Sequence, residues 1–357
     1  MEINQHSLLP TSPRPIAIIG AGGIVMEAHL PAYSLAGWQV MGIFDLDQSK
    51  AEAAVSKFPI VSKTFSDLGD LIKIAFKQQA VFDLAVPADQ ISRILQQLPN
   101  GSAVLIQKPM GETLAEAAEI HEICQRKKLI AAVNFQLKFA PYMLAAKDMV
   151  QKDLLGDVYD LELKVCVNTP WNLWGFLKGK PRMEVLYHSV HYLDLIRSFL
   201  GNPITVHASL SRHPKMQDLA DTRSSIILNY DEFTQARILT NHGHEFGVKN
   251  QESYFKIEGT KGAIKITIGL SLDYPKGQAP KMEYCLLEGN EGWKEIPLSG
   301  GWFPHAFIGT MAALQIKLEN PGAHLLNSTA DAFQTMKLVE KVYQASQSGG
   351  TSFEKIS

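Results

Sequence analysis

The chain has few cysteines, no long run of basic residues and no long apolar stretch. Its three cysteines, Cys124, Cys166 and Cys285, are scattered and form no CxxC pair. That spacing excludes a zinc ribbon and a disulfide framework, and it fits a reducing compartment. Lysine and arginine number 34 against 36 acidic residues, for a net charge of −2. Nothing in that balance favours a polyanion, so a nucleic-acid partner is not expected. No apolar run approaches the roughly 20 residues that span a bilayer. Residues 1–15 are polar, with Arg14 the sole basic side chain, and do not read as a signal peptide. The expectation is a cytoplasmic protein without a membrane partner.

What is present is an ordinary globular composition, 46% hydrophobic and 20% charged, in 357 residues. That length predicts two domains. Over the first third, short apolar runs at residues 15–19, 39–44, 81–86, 103–106 and 130–133 alternate with amphipathic stretches such as 49–57 and 112–127. Continuous apolar strands separated by helices predict a parallel sheet covered on both faces. From about Tyr159 the pattern becomes alternating, at 159–167, 205–210, 223–230, 233–240, 254–258 and 263–268, which predicts antiparallel strands with one wet face. Helices are expected near 184–200, 307–318 and 329–347, the last stopped by Gly349-Gly350. The fold class is therefore α/β: an N-terminal Rossmann domain, 1–135, and a C-terminal α/β domain, 136–357, built on a large, mostly antiparallel open sheet. The final helix is expected to pack back on the first domain.

The first chemical signal is IAIIGAGGIV, residues 16–25. It leaves a strand and opens a helix. Gly20 allows a tight turn, and Gly22, with Gly23 and Ile24, lets a pyrophosphate approach the helix N-terminus. Val25 stands where a third glycine is usual. Asp45 ends the next strand, 25 residues after Gly20. A carboxylate there accepts the ribose hydroxyls and repels a 2′-phosphate, so NAD is expected over NADP. The competing reading is a structural glycine turn with Asp45 capping a helix. Pro87, closing the strand that begins at Val81, is added on the cofactor side.

The run VLIQKPMGETLAEAAEI, residues 104–120, resembles the E-K-P motif of the Gfo/Idh/MocA oxidoreductase family. LYHSVHYLDLIRSFLGNP, residues 186–203, is similar to that family's D-x-x-x-H helix, and His29-Leu30-Pro31-Ala32 and NFQLKFAP from Asn134 match further segments. The resemblance implies nicotinamide beside Lys108, with Gln107 next to it, and a catalytic histidine at His191. It also implies a homodimer or homotetramer. The Lys108–Pro109 bond is often cis in such enzymes. Gln107 replaces the glutamate of E-K-P, Tyr187 replaces the aspartate four residues before the histidine, and Lys138 stands where an arginine is common.

Hydride transfer from an alcohol needs a held nicotinamide, a base for the hydroxyl proton and a positive group near the oxygen. Lys108, past a strand end, supplies the charge. His191, with an imidazole pKa of about 6.5, exchanges the proton. On an α-helix Tyr187, His191 and Asp194 share one face, with His188 adjacent to His191. Tyr187 orients a hydroxyl, joins a proton relay with Lys108, or packs. Trp171 and Arg182, before this helix, suit a sugar ring or carboxylate. His188 and Asp194 join them on the substrate side. The resemblance also implies that His305 lines the same pocket. A zinc site at His188, His191 and Asp194 is weighed and not expected. The leading expectation is an NAD-dependent dehydrogenase or reductase acting on CH–OH groups of a sugar, polyol or related hydroxy/keto compound. The alternatives are redox-neutral glycoside cleavage and a non-catalytic NAD or sugar sensor.

Overall fold

The computed structural model describes residues 2–289 and 291–351. The chain divides into two compact units. One comprises Asn4–Leu144 with Gly300–Met336. The other comprises Met1–Ile3, Ala145–Ser299 and Lys337–Ser357. A single cut at residue 135 therefore differs from the packing, because the return segment 300–336 folds with the first unit. Among the described residues the α-helices are α1 (Leu30–Leu35), α2 (Gln48–Lys57), α3 (Leu68–Lys77), α4 (Ile91–Gln97), α5 (Leu114–Arg126), α6 (Pro141–Gln151), α7 (Val190–Leu200), α8 (His305–Glu319) and α9 (Thr329–Ser348). The division between the units falls within α6 and within α9. No described helix is long and apolar enough to cross a membrane.

The first unit holds a parallel sheet of β1 (Ile16–Ile19), β2 (Val40–Phe44), β3 (Thr64–Phe65), β4 (Val81–Leu84), β5 (Ala103–Ile106) and β6 (Ile130–Val133). Its order is β3-β2-β1-β4-β5-β6. β1, β4 and β5 are buried at every residue, as expected of strands covered on both faces. Connections leave β1 to one side and β4 to the other. The crevice at their carboxyl ends is the place where open α/β sheets bind ligands. Phe307, Met311, Ala312 and Leu314 of α8 join the core formed by Ile16, Ile18, Val40 and Leu105. This burial is why the return segment belongs here.

The second unit holds an eight-stranded sheet of β7 (Val158–Cys166), β8 (Thr205–Ser211), β9 (Arg223–Asn229), β10 (Gln235–Asn241), β11 (Glu252–Gly259), β12 (Gly262–Thr267), β13 (Lys281–Leu286) and β14 (Lys294–Ile296), in the order β14-β13-β12-β11-β7-β10-β9-β8. The expectation of antiparallel strands needs one correction. β10 lies parallel to β7, with Gln235 opposite Asp160 and Asn241 opposite Cys166. The segment between them, carrying α7 and the β8–β9 hairpin, supplies the long crossover that a parallel pair requires. Inward residues Leu161, Leu163, Ile226, Ile238, Phe255 and Ile257 are buried, and Phe199 of α7 sets its ring 5.8 Å from that of Phe255. The other face is polar, where Arg237 pairs with Asp160 at 2.7 Å and Glu162 at 3.3 Å.

Candidate active site

β1 ends at Gly20, whose φ of +106° is open to glycine and strained for other residues. A Cβ there would meet the Ala85 carbonyl oxygen at 2.2 Å, so the turn is pressed against the chain leaving β4. Gly22 differs, since a Cβ on it would meet nothing within 4 Å. The protein's own packing does not demand glycine there, and the open space lies at a helix start, where the first N–H groups lack partners within the helix. The helix begins unusually, with a π-helical turn over Val25–His29 that runs into α1.

Asp45 follows β2, and its carboxylate is aimed at the glycine turn. It accepts the Ala21 N–H at 2.6 Å through Oδ2 and the Asp47 N–H at 2.8 Å through Oδ1. The helix cap is Asp47, which accepts the Ser49 N–H at the start of α2. Asp45 is therefore held beside Gly20 rather than spent on a cap. Pro87 precedes the short helical turn Ala88–Gln90, and β4 ends at Leu84, two residues before the expected Val86. Open space at Gly22, backbone donors at the helix start and an anchored carboxylate after β2 fit an adenine dinucleotide.

Gln107-Lys108-Pro109 leaves β5, and the Lys108–Pro109 bond is cis. Burial pushes the Lys108 ammonium down to about 8. Gln107 is buried, accepts the Lys108 N–H at 2.9 Å through Oε1, and points its Nε2 at His29 Nε2, 3.4 Å away. Lys138, also buried, donates to the Leu326 carbonyl at 3.1 Å and faces Asp331 at 3.5 Å. His305 opens α8 and accepts the Gly301 N–H at 3.3 Å, with burial lowering its pKa.

The second unit carries the remaining candidates. Here the helix expected near 184–200 is a π-helical turn, Val185–Ser189, followed by α7. The wider turn alters the α-helical spacing that placed Tyr187 on one face with His191 and Asp194. All three are nonetheless buried. Tyr187 sets its ring 5.7 Å from Phe176. His188 packs edge-on to Trp171 at 5.0 Å and lies 4.8 Å from the ring of His242. Trp174 is 6.2 Å from His188 and 5.6 Å from Tyr274. His242, at the end of β10, went unnoticed because a histidine in Thr240-Asn241-His242-Gly243-His244 carries no local signal. Its Nδ1 is 2.8 Å from the Thr169 hydroxyl and its Nε2 is 3.3 Å from Glu184 Oε1. Glu184 is fully buried and also accepts the Ser189 hydroxyl at 2.6 Å.

Arg182 needs a correction. Its fork is taken by Glu340 of α9, at 2.6 and 3.3 Å, and its guanidinium lies 4.6 Å from the ring centroid of Tyr343. A bidentate pair stacked on an aromatic ring is a structural clamp rather than a substrate fork. Among the described residues no group of three or more His, Cys, Asp or Glu side chains is placed to hold a metal.

The start of the π-helical turn is held by Asp221, which accepts the Met183 N–H at 3.0 Å. Burial, then the Glu184 carboxylate, push the Asp221 carboxyl up to about 6, against the pull of the Met183, Val185 and Glu184 N–H groups. A carboxyl raised above its unfolded value of about 3.9 makes the fold lose stability as pH rises from about 4 to about 6. Asp221→Asn is expected to abolish that loss, which amounts to about 3 kcal/mol over the window. Urea unfolding at pH 4, 5, 6 and 7 checks it. Parallel curves for the two proteins would refute the assignment.

This fold and this turn define a two-domain oxidoreductase scaffold with a nucleotide-binding Rossmann unit. Comparison with known families makes the assignment specific. Residues 14–135 match "Oxidoreductase family, NAD-binding Rossmann fold", and residues 143–265 match "GFO/IDH/MocA C-terminal domain". The chain belongs to the Gfo/Idh/MocA oxidoreductase family, and its first unit carries the NAD-binding domain. It is 29% identical over 154 residues to a glucose-6-phosphate 3-dehydrogenase of Bacillus subtilis, a match covering 42% of this chain and 41% of that protein. The aligned stretch thus spans less than half of that relative. An Agrobacterium radiobacter oxidoreductase in complex with NAD+, L-tartaric acid and magnesium superposes with a TM-score of 0.77 at 18% identity, covering 96% of this chain and 98% of the other. A levoglucosan dehydrogenase complexed with NADH and levoglucosan gives 0.75 at 16% identity, over 94% and 98% of the two chains. At those identities the likeness is one of fold.

Proposed function

We propose that this protein is an NAD-dependent oxidoreductase that moves a hydride between nicotinamide and the CH–OH carbon of a sugar, polyol or related hydroxy/keto compound. The observation that carries the reading is Lys108. It stands just beyond the carboxyl end of β5, in the unit that holds the glycine turn, with its ammonium lowered to about 8 by burial. Gly20 shapes the turn. Gly22, Gly23 and Ile24 offer backbone donors to the pyrophosphate, and Asp45 takes the adenosine ribose. Pro87 and Gln107 border the nicotinamide side. NAD, when bound, supplies the hydride acceptor or donor.

The rest of the chemistry falls to side chains. Lys108 hydrogen-bonds the reacting oxygen and stabilises its alkoxide character. His191 takes the hydroxyl proton in oxidation and returns it in reduction. Tyr187, a phenol in the place of a carboxylate, orients a substrate hydroxyl and leaves proton transfer to His191. Trp171 and His188 form an aromatic wall suited to a sugar face, and Asp194 supports His191 from one turn along α7. The polar face of the eight-stranded sheet is the surface we assign to a homodimer or homotetramer.

Purified protein mixed with NAD, or with NADP in parallel, and a panel of sugars, polyols and sugar acids tests this by NADH absorbance. Turnover with NAD that collapses in both Lys108→Ala and His191→Ala supports the reading. No turnover on any compound despite tight NAD binding shifts the assignment to a redox-neutral glycosidase or a sensor.

A further inference from the structure

We propose that His29 is a positioning residue for Lys108, held as one neutral tautomer, and that glutamine at position 107 is the residue type this tautomer requires. The inference rests on the reading of Lys108 as catalytic, and it assigns a role to a buried polar cluster that this reading does not use.

His29 closes the π-helical turn and is fully buried. From β4, Asp83 is likewise fully buried, with Oδ2 2.7 Å from His29 Nδ1. From α1, the Tyr33 hydroxyl donates to the same Oδ2 at 2.8 Å. Burial first, and the Asp83 charge second, hold the Tyr33 phenol well above its usual range, so it stays a donor. After β5 comes Gln107, with Nε2 3.4 Å from His29 Nε2, and after β6 comes Asn134, with Nδ2 3.2 Å from the same nitrogen. From α8, the Phe307 ring lies 5.1 Å away, and Thr310 donates to Asn134 Oδ1 at 2.8 Å.

The orientation of Gln107 decides the tautomer. Its other amide atom receives the Lys108 backbone N–H at 2.9 Å, so that atom must be the carbonyl oxygen. The amide turned toward His29 is then an NH2 group, which only donates. His29 Nε2 must therefore accept, and its single proton sits on Nδ1, donated to Asp83. A continuous chain results: Asp83 fixes the ring, the ring fixes the Gln107 amide, and the amide holds the backbone at Lys108. Gln107 is also anchored by its own N–H, which donates to the Leu84 carbonyl at 2.9 Å, so the catalytic lysine leaves a backbone tied from two sides.

A carboxylate at 107 would break this logic. It would present a lone pair to the lone pair on His29 Nε2, and the clash is relieved by one added proton, for which the imidazole between two carboxylates is the most basic site. The glutamine that departs from the family's E-K-P pattern thus matches an uncharged histidine.

Side-chain ¹⁵N–¹H correlation spectra at pH 7 test this without turnover, with His29→Gln assigning the signal. The expected wild-type spectrum shows Nδ1 protonated and Nε2 bare. Gln107→Glu is expected to protonate both nitrogens and to lower kcat at least about tenfold, since sub-ångström misplacement of a catalytic group costs factors of this order. The KM for the sugar should stay within about twofold, because the change acts on the chemical step. Gln107→Met, similar in size and uncharged, serves if the glutamate variant does not fold. It should leave His29 neutral and still lower kcat. A wild-type His29 with its proton on Nε2, or on both nitrogens, overturns the assignment. A correct tautomer with kcat untouched in both Gln107 variants overturns the positioning role. Lys108→Ala separates that result from failure of the functional reading: if it leaves turnover intact, the lysine reading falls and the tautomer measurement still stands.

Discussion

Replacing Lys108 with alanine is expected to lower kcat by about 10³-fold while leaving the Kd for NAD nearly unchanged, as for the loss of a group that acts on the reacting oxygen. The pH profile carries more information than the loss itself. Burial lowers the Lys108 ammonium to about 8, so its charge is lost inside the range where the enzyme can be assayed. If the ammonium stabilises the alkoxide, oxidation requires Lys108 charged and His191 neutral. The kcat/KM profile should then rise as the His191 imidazole loses its proton and fall as pH climbs through about 8. Lys108→Arg keeps a charge that no accessible pH removes, so its residual activity should lack the upper limb. An upper limb that persists near 8 in the arginine variant would assign it to another group. A rate that rises through 8 instead would make the neutral amine the base and relieve His191 of that duty.

The parts of this molecule that were legible from sequence share a physical reason. β1, β4 and β5 are buried on both faces, so they must be continuous apolar runs, and such runs are visible without an alignment. The alternation of β7, β9, β10 and β11 is visible because one face is wet. β3 and β14 escaped, because strands of two and three residues leave no period to detect, and β13 escaped because only Met282 of its six residues is buried. The parallel pairing of β10 with β7 was hidden too, since alternation reports a wet face and says nothing of direction. Partners distant in sequence were the other blind spot. Glu340, which removes Arg182 from the substrate side, lies 158 residues away from it. His242 reaches Glu184 across 58 residues, and Asp221 reaches Met183 across 38. The π-helical turn at Val185–Ser189 matters most, because it falls where chemistry was read from α-helical spacing. Such turns are rare and concentrate at functional sites, so a spacing argument there is weakest where it is most wanted.

Two glycines of the same turn are expected to respond in opposite ways to the same methyl group. At Gly20 the φ of +106° and the Ala85 carbonyl oxygen, 2.2 Å from a built Cβ, leave the methyl neither a conformation nor a volume. That oxygen is backbone at the end of β4 and cannot swing aside, so Gly20→Ala should destabilise the first unit by about 3 kcal/mol or more. At Gly22 a Cβ meets nothing within 4 Å, and the backbone there is not left-handed. Gly22→Ala should therefore leave the urea midpoint unchanged or raise it slightly, because alanine narrows the unfolded ensemble by about 0.4–1 kcal/mol. Its effect should appear only when the dinucleotide arrives. If the pyrophosphate approaches this backbone, the methyl occupies the approach, and NAD affinity should fall at least about tenfold. Thermal melts with and without NAD separate the two cases: Gly20→Ala lowers the melt of the free protein, whereas Gly22→Ala reduces the upward shift that NAD produces. A Gly22→Ala protein that binds NAD as tightly as the wild type would detach the glycine turn from the pyrophosphate. The open space at the helix start would then need a different occupant.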